Sequence, residues 1–318
     1  MKRSGSRLER LARFFQPRRQ DPAEVRARRL LDPRRFAAAQ ALVSAYYGVQ
    51  LFFAVGSLYS WSEYLAVSTL APRWPVFWLR FVDLQVGVPL LLAFYLLVGL
   101  AAVPFCGYRW VRILAFVSAL ELHAFKFSFG SINHGDHLGV LLAFVLIFLP
   151  RGWRRLDAPK AVRAATLTVF AGCQGMILLI YSMSGMWKAG GLIEQLLKGE
   201  TSYLAPSGLA RQVAAKLLGA EGTSLLGPWL IEHAWIGWPL MIATLYVEFF
   251  SLWVVSRPSL HFAWGFGLIL FHVSTYLTMG IGFVQNSLWL CLFLVFSPFR
   301  LPDLEWRRVL RDLPLFRW

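Results

Sequence analysis

The chain reads as an all-α polytopic membrane protein, a bundle of about eight transmembrane helices with a short extracytoplasmic amphipathic insertion. Three observations predict this. Of 318 residues, 57% are hydrophobic and 15% charged, against roughly 25% charged in a soluble domain, and the mean hydropathy is +0.54. The apolar segments are continuous over about 20 residues, the length a helix needs to cross hydrocarbon, and lack the ten-residue alternation of barrel strands. Finally, the basic residues gather at the flanks of these segments.

The net charge of +15 follows that placement. Twelve of the 32 Lys and Arg precede Phe36, among four acids. This is the pattern of cytoplasmic anchoring on anionic lipid rather than nucleic-acid binding, because no aromatic-basic reader accompanies it. Residues 1–35 form a basic, Pro-interrupted segment whose pieces Leu8–Phe15 and Ala23–Leu31 suit the inner leaflet. They are too long and too charged for a cleaved signal, so the first span is expected to be an uncleaved anchor.

Spans are expected at Phe36–Tyr59, Phe81–Val103, Trp110–Phe127, from about His137 to Pro150, Ala164–Trp187, Trp235–Val255, Leu260–Ile281 and Phe283–Pro298. Trp61, Tyr64, Trp74 and Trp78 suit the headgroup zone after the first span. Arg80 stands three residues before Asp83, close enough to pair with it on one helical face. The transmembrane unit covers 36–300, with an outward-facing amphipathic and polar loop at 189–235 in which Leu209–Leu218 reads as a surface helix. A basic cytoplasmic tail follows at 301–318. Five Lys or Arg in Arg151–Arg163 fall on the same side as both termini when eight spans are counted, so that side is the cytoplasm of a plasma (inner) membrane.

Several function classes drop out. Cys106, Cys173 and Cys291 are far apart with no CxxC, so neither a disulfide framework nor a thiol-redox site is indicated. Phosphate-loop, dinucleotide, GxSxG and kinase patterns are absent. No inverted repeat points to a secondary transporter.

The stretch richest in chemistry is Tyr181-Ser182-Met183-Ser184-Gly185-Met186-Trp187-Lys188. On a helix, Tyr181, Ser184, Gly185 and Lys188 share one face. A phenol, a hydroxyl, a bare backbone patch and an amine therefore line one stripe where hydrocarbon gives way to water. Desolvation lets such a lysine act as a base; the plainer alternative is a lysine snorkelling to close a span. The third span carries Glu121, His123 and Lys126, each of which must face a partner or a cavity. His272 lies within the seventh span, one turn before Tyr276. Glu248 in the sixth is placed to pair with His272 or with a lysine in a buried network. Gln285 and Asn286 open the eighth span, where they would donate to a polar ligand or cap the helix. His134, Asp136 and His137 invite a zinc reading, but Gly135 and the short spacing favour a polar loop with Asn133 or Asp136 near a helix N-cap. No metal is expected.

Three stretches together resemble one family. Tyr181 to Lys188 resembles its Tyr-x-x-(small)-Gly-x-x-Lys segment, and Asn133-His134 followed by Gly139–Phe144 resembles its Asn-His segment leading into an apolar helix. Phe271-His272, continuing through Met279–Phe283 to Ser297-Pro298, resembles its late pair of helices. The family is the horizontally transferred transmembrane (HTTM) domain, to which the membrane part of vitamin K-dependent γ-glutamyl carboxylase belongs. The resemblance implies an outward-facing pocket for a reduced quinone, a vitamin K-like hydroquinone. It casts Lys188 as the catalytic base, with His134 or His137 as polar partner, and places Tyr181, Gly185, Asn133, His272 and Glu248 around the cofactor. The expected function is a quinol-dependent carboxylation or oxygenation of a small or lipidic substrate. The alternative is a non-catalytic quinone- or lipid-binding bundle, or an accessory subunit with a membrane-protein partner.

Overall fold

A computed structural model of the chain describes residues 32–59, 61–66, 70–130, 134–219, 224–300 and 306–315. All regular structure among them is helical. The helices are α1 Pro33–Tyr59, α2 Leu84–Phe105, α3 Arg109–Phe127, α4 His137–Leu146, α5 Lys160–Lys198, α6 Gly208–Gly219, α7 Gly227–Glu232, α8 Ala234–Phe249, α9 His261–Met279, α10 Val284–Leu290 and α11 Trp306–Asp312. Four are long and apolar enough to cross a membrane: α1, α2, α5, and α9 together with the short turn before it. The segments His137–Leu146, Ala234–Phe249 and Val284–Val295 are apolar but shorter.

Local chemistry sets the helix starts. Asp32 precedes Pro33 and accepts from the Arg34 amide at 2.9 Å, so proline fills the first helical position, where its missing N–H costs nothing. This moves the first helix three residues ahead of its expected start. At α2, Asp83 caps the helix by accepting from the Gln85 amide at 2.9 Å. The expected Arg80–Asp83 pair does not form: Arg80 sits in a 3₁₀ turn, Val76–Arg80, and donates to the Pro72 carbonyl at 3.2 Å. An N-cap carboxylate that satisfies a helix amide is the better use of Asp83.

The main core is built where α1, α4, α5, α9 and α10 meet, around Tyr46, Phe170, Ile177, Trp264, Trp289 and Phe293. A second core of Val76, Leu79, Leu91, Tyr95, Leu122 and Phe125 fills the space between α2, α3 and the 70–80 segment. A polar thread joins the second core to the first. Tyr95 donates to the Gln50 amide oxygen at 3.0 Å, the Gln50 amide nitrogen donates to the Tyr46 hydroxyl at 2.7 Å, and Tyr46 donates to the Gly139 carbonyl at 2.9 Å. In a low-dielectric interior such a chain fixes which helix faces meet.

Two expectations about the second half change. The fifth helix does not end at Lys188 but continues unbroken through Gly190 and Gly191 to Lys198, closing at Gly199 in the left-handed region (φ 68°). Its 39 residues extend about 58 Å at 1.5 Å per residue. The segment 189–235 is accordingly no simple loop: its start is the end of α5, and α6 and α7 follow, packed on α8 and α9. Glycine disfavours a helix only weakly, and Gly190 and Gly191 stay helical; a Cβ on Gly191 would meet the Tyr203 ring at 3.5 Å and one on Gly190 nothing within 4 Å. The C-terminal segment also docks. Trp253 donates through its indole N–H to the Asp312 carbonyl at 2.9 Å, and the Tyr246 hydroxyl donates to the Pro314 carbonyl at 2.8 Å.

Candidate functional site

The glycine of the 181–188 stretch decides the geometry. A Cβ on Gly185 would lie 2.4 Å from the Phe249 nitrogen and 2.6 Å from its Cα, well inside contact distance. Only a bare backbone lets the end of α8 close onto α5. Ser182, one turn earlier, secures the contact by donating its hydroxyl to the Phe249 carbonyl at 2.7 Å. Sequence reading gave Ser182 no role, and its only signal was its place beside Gly185 in a run of small residues.

That close approach delivers Glu248 to the lysine. The Lys188 ammonium donates to Glu248 Oε2, and the Ser184 hydroxyl donates to Oε1 at 3.2 Å. The carboxylate is 3% exposed and the lysine 36%. The Nζ also lies 5.4 Å from the centre of the Phe271 ring, within cation–π range. Of its two expected partners, Glu248 therefore takes the lysine and not His272, and the amine is held by a buried carboxylate.

His272 finds a different partner. Its Nε2 lies 2.5 Å from the Tyr181 hydroxyl, the hydrogen bond that the shared helical face of Tyr181 and Lys188 made available. The imidazole stacks obliquely on Phe283, ring centres 4.8 Å apart, and on Phe271 at 5.1 Å. Its Nδ1 is buried without a partner. Tyr276, one turn on, is exposed and takes no part.

Of the residues predicted for the site, Tyr181, Gly185, Lys188, Glu248 and His272 come together. The His134–His137 stretch forms a separate cluster. Asn133 lies outside the described residues, and His134 is described by its backbone alone, within a 3₁₀ turn His134–Asp136. His137 packs edge-on against Phe127, ring centres 5.0 Å apart. Asp136 holds the N-cap position of α4 but makes no cap bond through its side chain; it stands 3.9 Å from His123 Nε2. Among the described residues, no three His, Cys, Asp or Glu gather as a metal site.

One element joins the two clusters. Phe283 touches His272, and α10, which begins at the next residue, packs on both α9 and the His134–Asp136 turn. Gln285 and Trp289 of α10 flank Gly139, their side-chain nitrogens 3.0 and 3.3 Å from where its Cβ would stand. A small cavity of about 10 Å³ lies elsewhere, between Tyr46, Tyr47, Gln50, Tyr95, Ala102 and Ser118. It has room for about one water.

Compared with protein-family models, curated proteins and solved structures, the chain gives no match.

Proposed function

We propose that the protein is an integral membrane enzyme that handles a reduced quinone, carboxylase-like in its use of a lysine base. The observation that carries this reading is the Lys188–Glu248 pair, its carboxylate buried and its lysine half-buried, set two helical turns from the Tyr181–His272 hydrogen bond. Ionisable groups are expensive inside a membrane and persist there mainly where a ligand or a proton path needs them. The surroundings fit an aromatic ring with a polar edge: Phe271 and Phe283 supply apolar faces, and His272 Nδ1 is a buried polar atom awaiting a partner. When bound, a reduced quinone supplies an acidic hydroxyl and the electrons for reaction with oxygen.

The chain's own groups divide the remaining work. Glu248 Oε2 holds the Lys188 ammonium and Ser184 orients the carboxylate. A proton passing from Nζ to the carboxylate leaves a neutral amine able to accept another from a ligand hydroxyl. His272, braced by Tyr181, positions the ligand's edge. His134 and His137 remain candidates for stabilising negative charge from the adjoining turn, reached through α10.

The topology proposed around this site has eight crossings, made by α1 to α5, α8, α9 and α10. Both termini then lie in the cytoplasm of the plasma (inner) membrane, with residues 1–35 on anionic lipid. Tests belong on the full chain in lipid nanodiscs supplied with a quinol and oxygen. Lys188→Ala and Lys188→Arg are expected to lower quinol-linked oxygen consumption by about 10²-fold or more. Unchanged consumption in both variants overturns the reading.

One observation favours the alternative, a non-catalytic quinone- or lipid-binding bundle or an accessory subunit. Lys188 is already satisfied by Glu248 and needs no ligand to offset its burial. A quinone or lipid that co-purifies with the chain, seen by mass spectrometry without oxygen consumption, would establish that role.

A further inference from the structure

Two buried polar atoms of opposite kind, one on α9 and one on the adjoining α10, find no partner among the described residues. His272 is 4% exposed and its Nδ1 has no partner; Asn286 is 7% exposed and its Oδ1 has none. They sit on neighbouring elements. Phe283, whose ring packs on the imidazole at 4.8 Å, lies one helical turn before Asn286 and accepts the first hydrogen bond of α10 from the Ser287 amide at 3.0 Å. Leaving such groups unpaired is costly, and each calls for a reason, of which a bound small group is one.

The chemistry of that group can be read from the two atoms. The Tyr181 hydroxyl has one neighbour able to take its proton, His272 Nε2. The imidazole's own hydrogen is therefore assigned to Nδ1, which becomes a donor. The Asn286 oxygen is an acceptor. An anion would be repelled by the amide oxygen, and a cation by the N–H. A hydroxyl suits both, accepting from one side and donating to the other. The rings that pack on the imidazole are those of Phe271 and Phe283, apolar neighbours that suit a flat, apolar body.

We propose that His272 and Asn286 form a seat for the hydroxyl of a phenol or alcohol carried on an apolar body, with Asn286 as the residue that selects a hydroxyl over an ether. This rests on the reading that this end of the bundle takes an apolar ligand, and it adds the atom that recognises the ligand. It does not require Lys188 to move a proton.

The test uses the full chain in nanodiscs and two probes of the same body, 1-naphthol and 1-methoxynaphthalene, with empty nanodiscs correcting for partition into lipid. The ether can accept a hydrogen bond but not donate one. Wild type is expected to bind the naphthol about tenfold more tightly, the worth of one hydrogen bond to a buried acceptor. Asn286→Leu should bring the two probes within about twofold of each other. Equal binding of both probes by wild type overturns the proposal, as it would if a single water fills the seat, and this measurement needs no variant to fold. A preference that survives Asn286→Leu overturns it too. Oxygen consumption indifferent to Lys188→Ala, with the naphthol preference intact, defeats only the enzymatic reading; a lost preference with consumption intact defeats only the seat.

Discussion

Two cations are drawn out of water in this bundle, and they are held in opposite ways. Arg112, near the start of α3, is 1% exposed. Among the described residues no carboxylate pairs with it; its guanidinium donates to the carbonyls of Cys106 at 2.8 Å, Gly107 at 3.0 Å and Leu149 at 2.6 Å. These carbonyls lie at and just beyond the C-terminal ends of α2 and α4, where unsatisfied oxygens carry partial negative charge. Trp153 joins the same knot by donating to the Cys106 carbonyl at 3.4 Å. Lys188 is held instead by one buried carboxylate. A guanidinium bound by backbone dipoles cannot release its proton and acts as a brace. An ammonium facing a carboxylate has somewhere to send a proton. Burial thus builds a backbone-held knot around Arg112 and a carboxylate-held ion pair at Lys188.

The comparison breaks most visibly at the brace. Arg112→Leu strands at least three carbonyls at once, so the protein should lose about 3 kcal/mol or more. Thermal unfolding in detergent would read this, together with a sharp fall in yield. Arg112→Lys should recover little of it, because an ammonium cannot span two helix ends as a planar fork does. Full recovery with lysine would mean that charge alone, rather than geometry, ties α2 to α4.

At the Lys188–Glu248 pair the expected effects are smaller and asymmetric. Lys188→Met leaves Glu248 buried and unpaired, at a cost of about 3 kcal/mol, the lower end for a broken buried pair. Glu248→Gln frees a lysine that is already one-third exposed and can turn to water, so its cost should stay near 1 kcal/mol. Combining the two changes should recover much of what Lys188→Met loses. Equal losses from the two single variants would mean that the lysine is as dry as its partner.

How much of this the sequence made legible depends on distance along the chain. The stripe Tyr181, Ser184, Gly185, Lys188 follows from helical spacing alone, and the structure uses each of its members. The partner of Lys188 lies 60 residues away, and spacing offers no way to choose between His272 and a lysine for Glu248. The overrun of α5 is hidden for another reason: a lysine after an apolar run reads as the close of a span, and the continuation to Lys198 escapes that reading. Arg112 was missed outright. It looked like one more flanking charge, and only its lack of a nearby acid, just after the Cys106-Gly107 helix end, hinted at carbonyl partners.

The smallest expected effect concerns a cation left in water. In the loop after α4, Arg155 grips Asp157 through two hydrogen bonds, at 3.2 and 2.9 Å. Those bonds, and then the guanidinium's charge, hold the carboxyl below its ordinary range. A lowered folded-state pKa means that any stabilisation is present above the unfolded value, about 3.9, and is lost as pH falls through the lower folded one. Both groups are fully exposed, so water and salt screen the pair. Asp157→Asn should leave the melting temperature at pH 7 unchanged, and the melting curves of variant and wild type should superpose from pH 7 down to about 3. A variant that melts lower at pH 7, with the difference vanishing in acid, would show that this loop is braced electrostatically like the Arg112 knot beneath it. Superposed curves would leave desolvation as what separates the two arginines, since both are well hydrogen-bonded and only one has been taken from water.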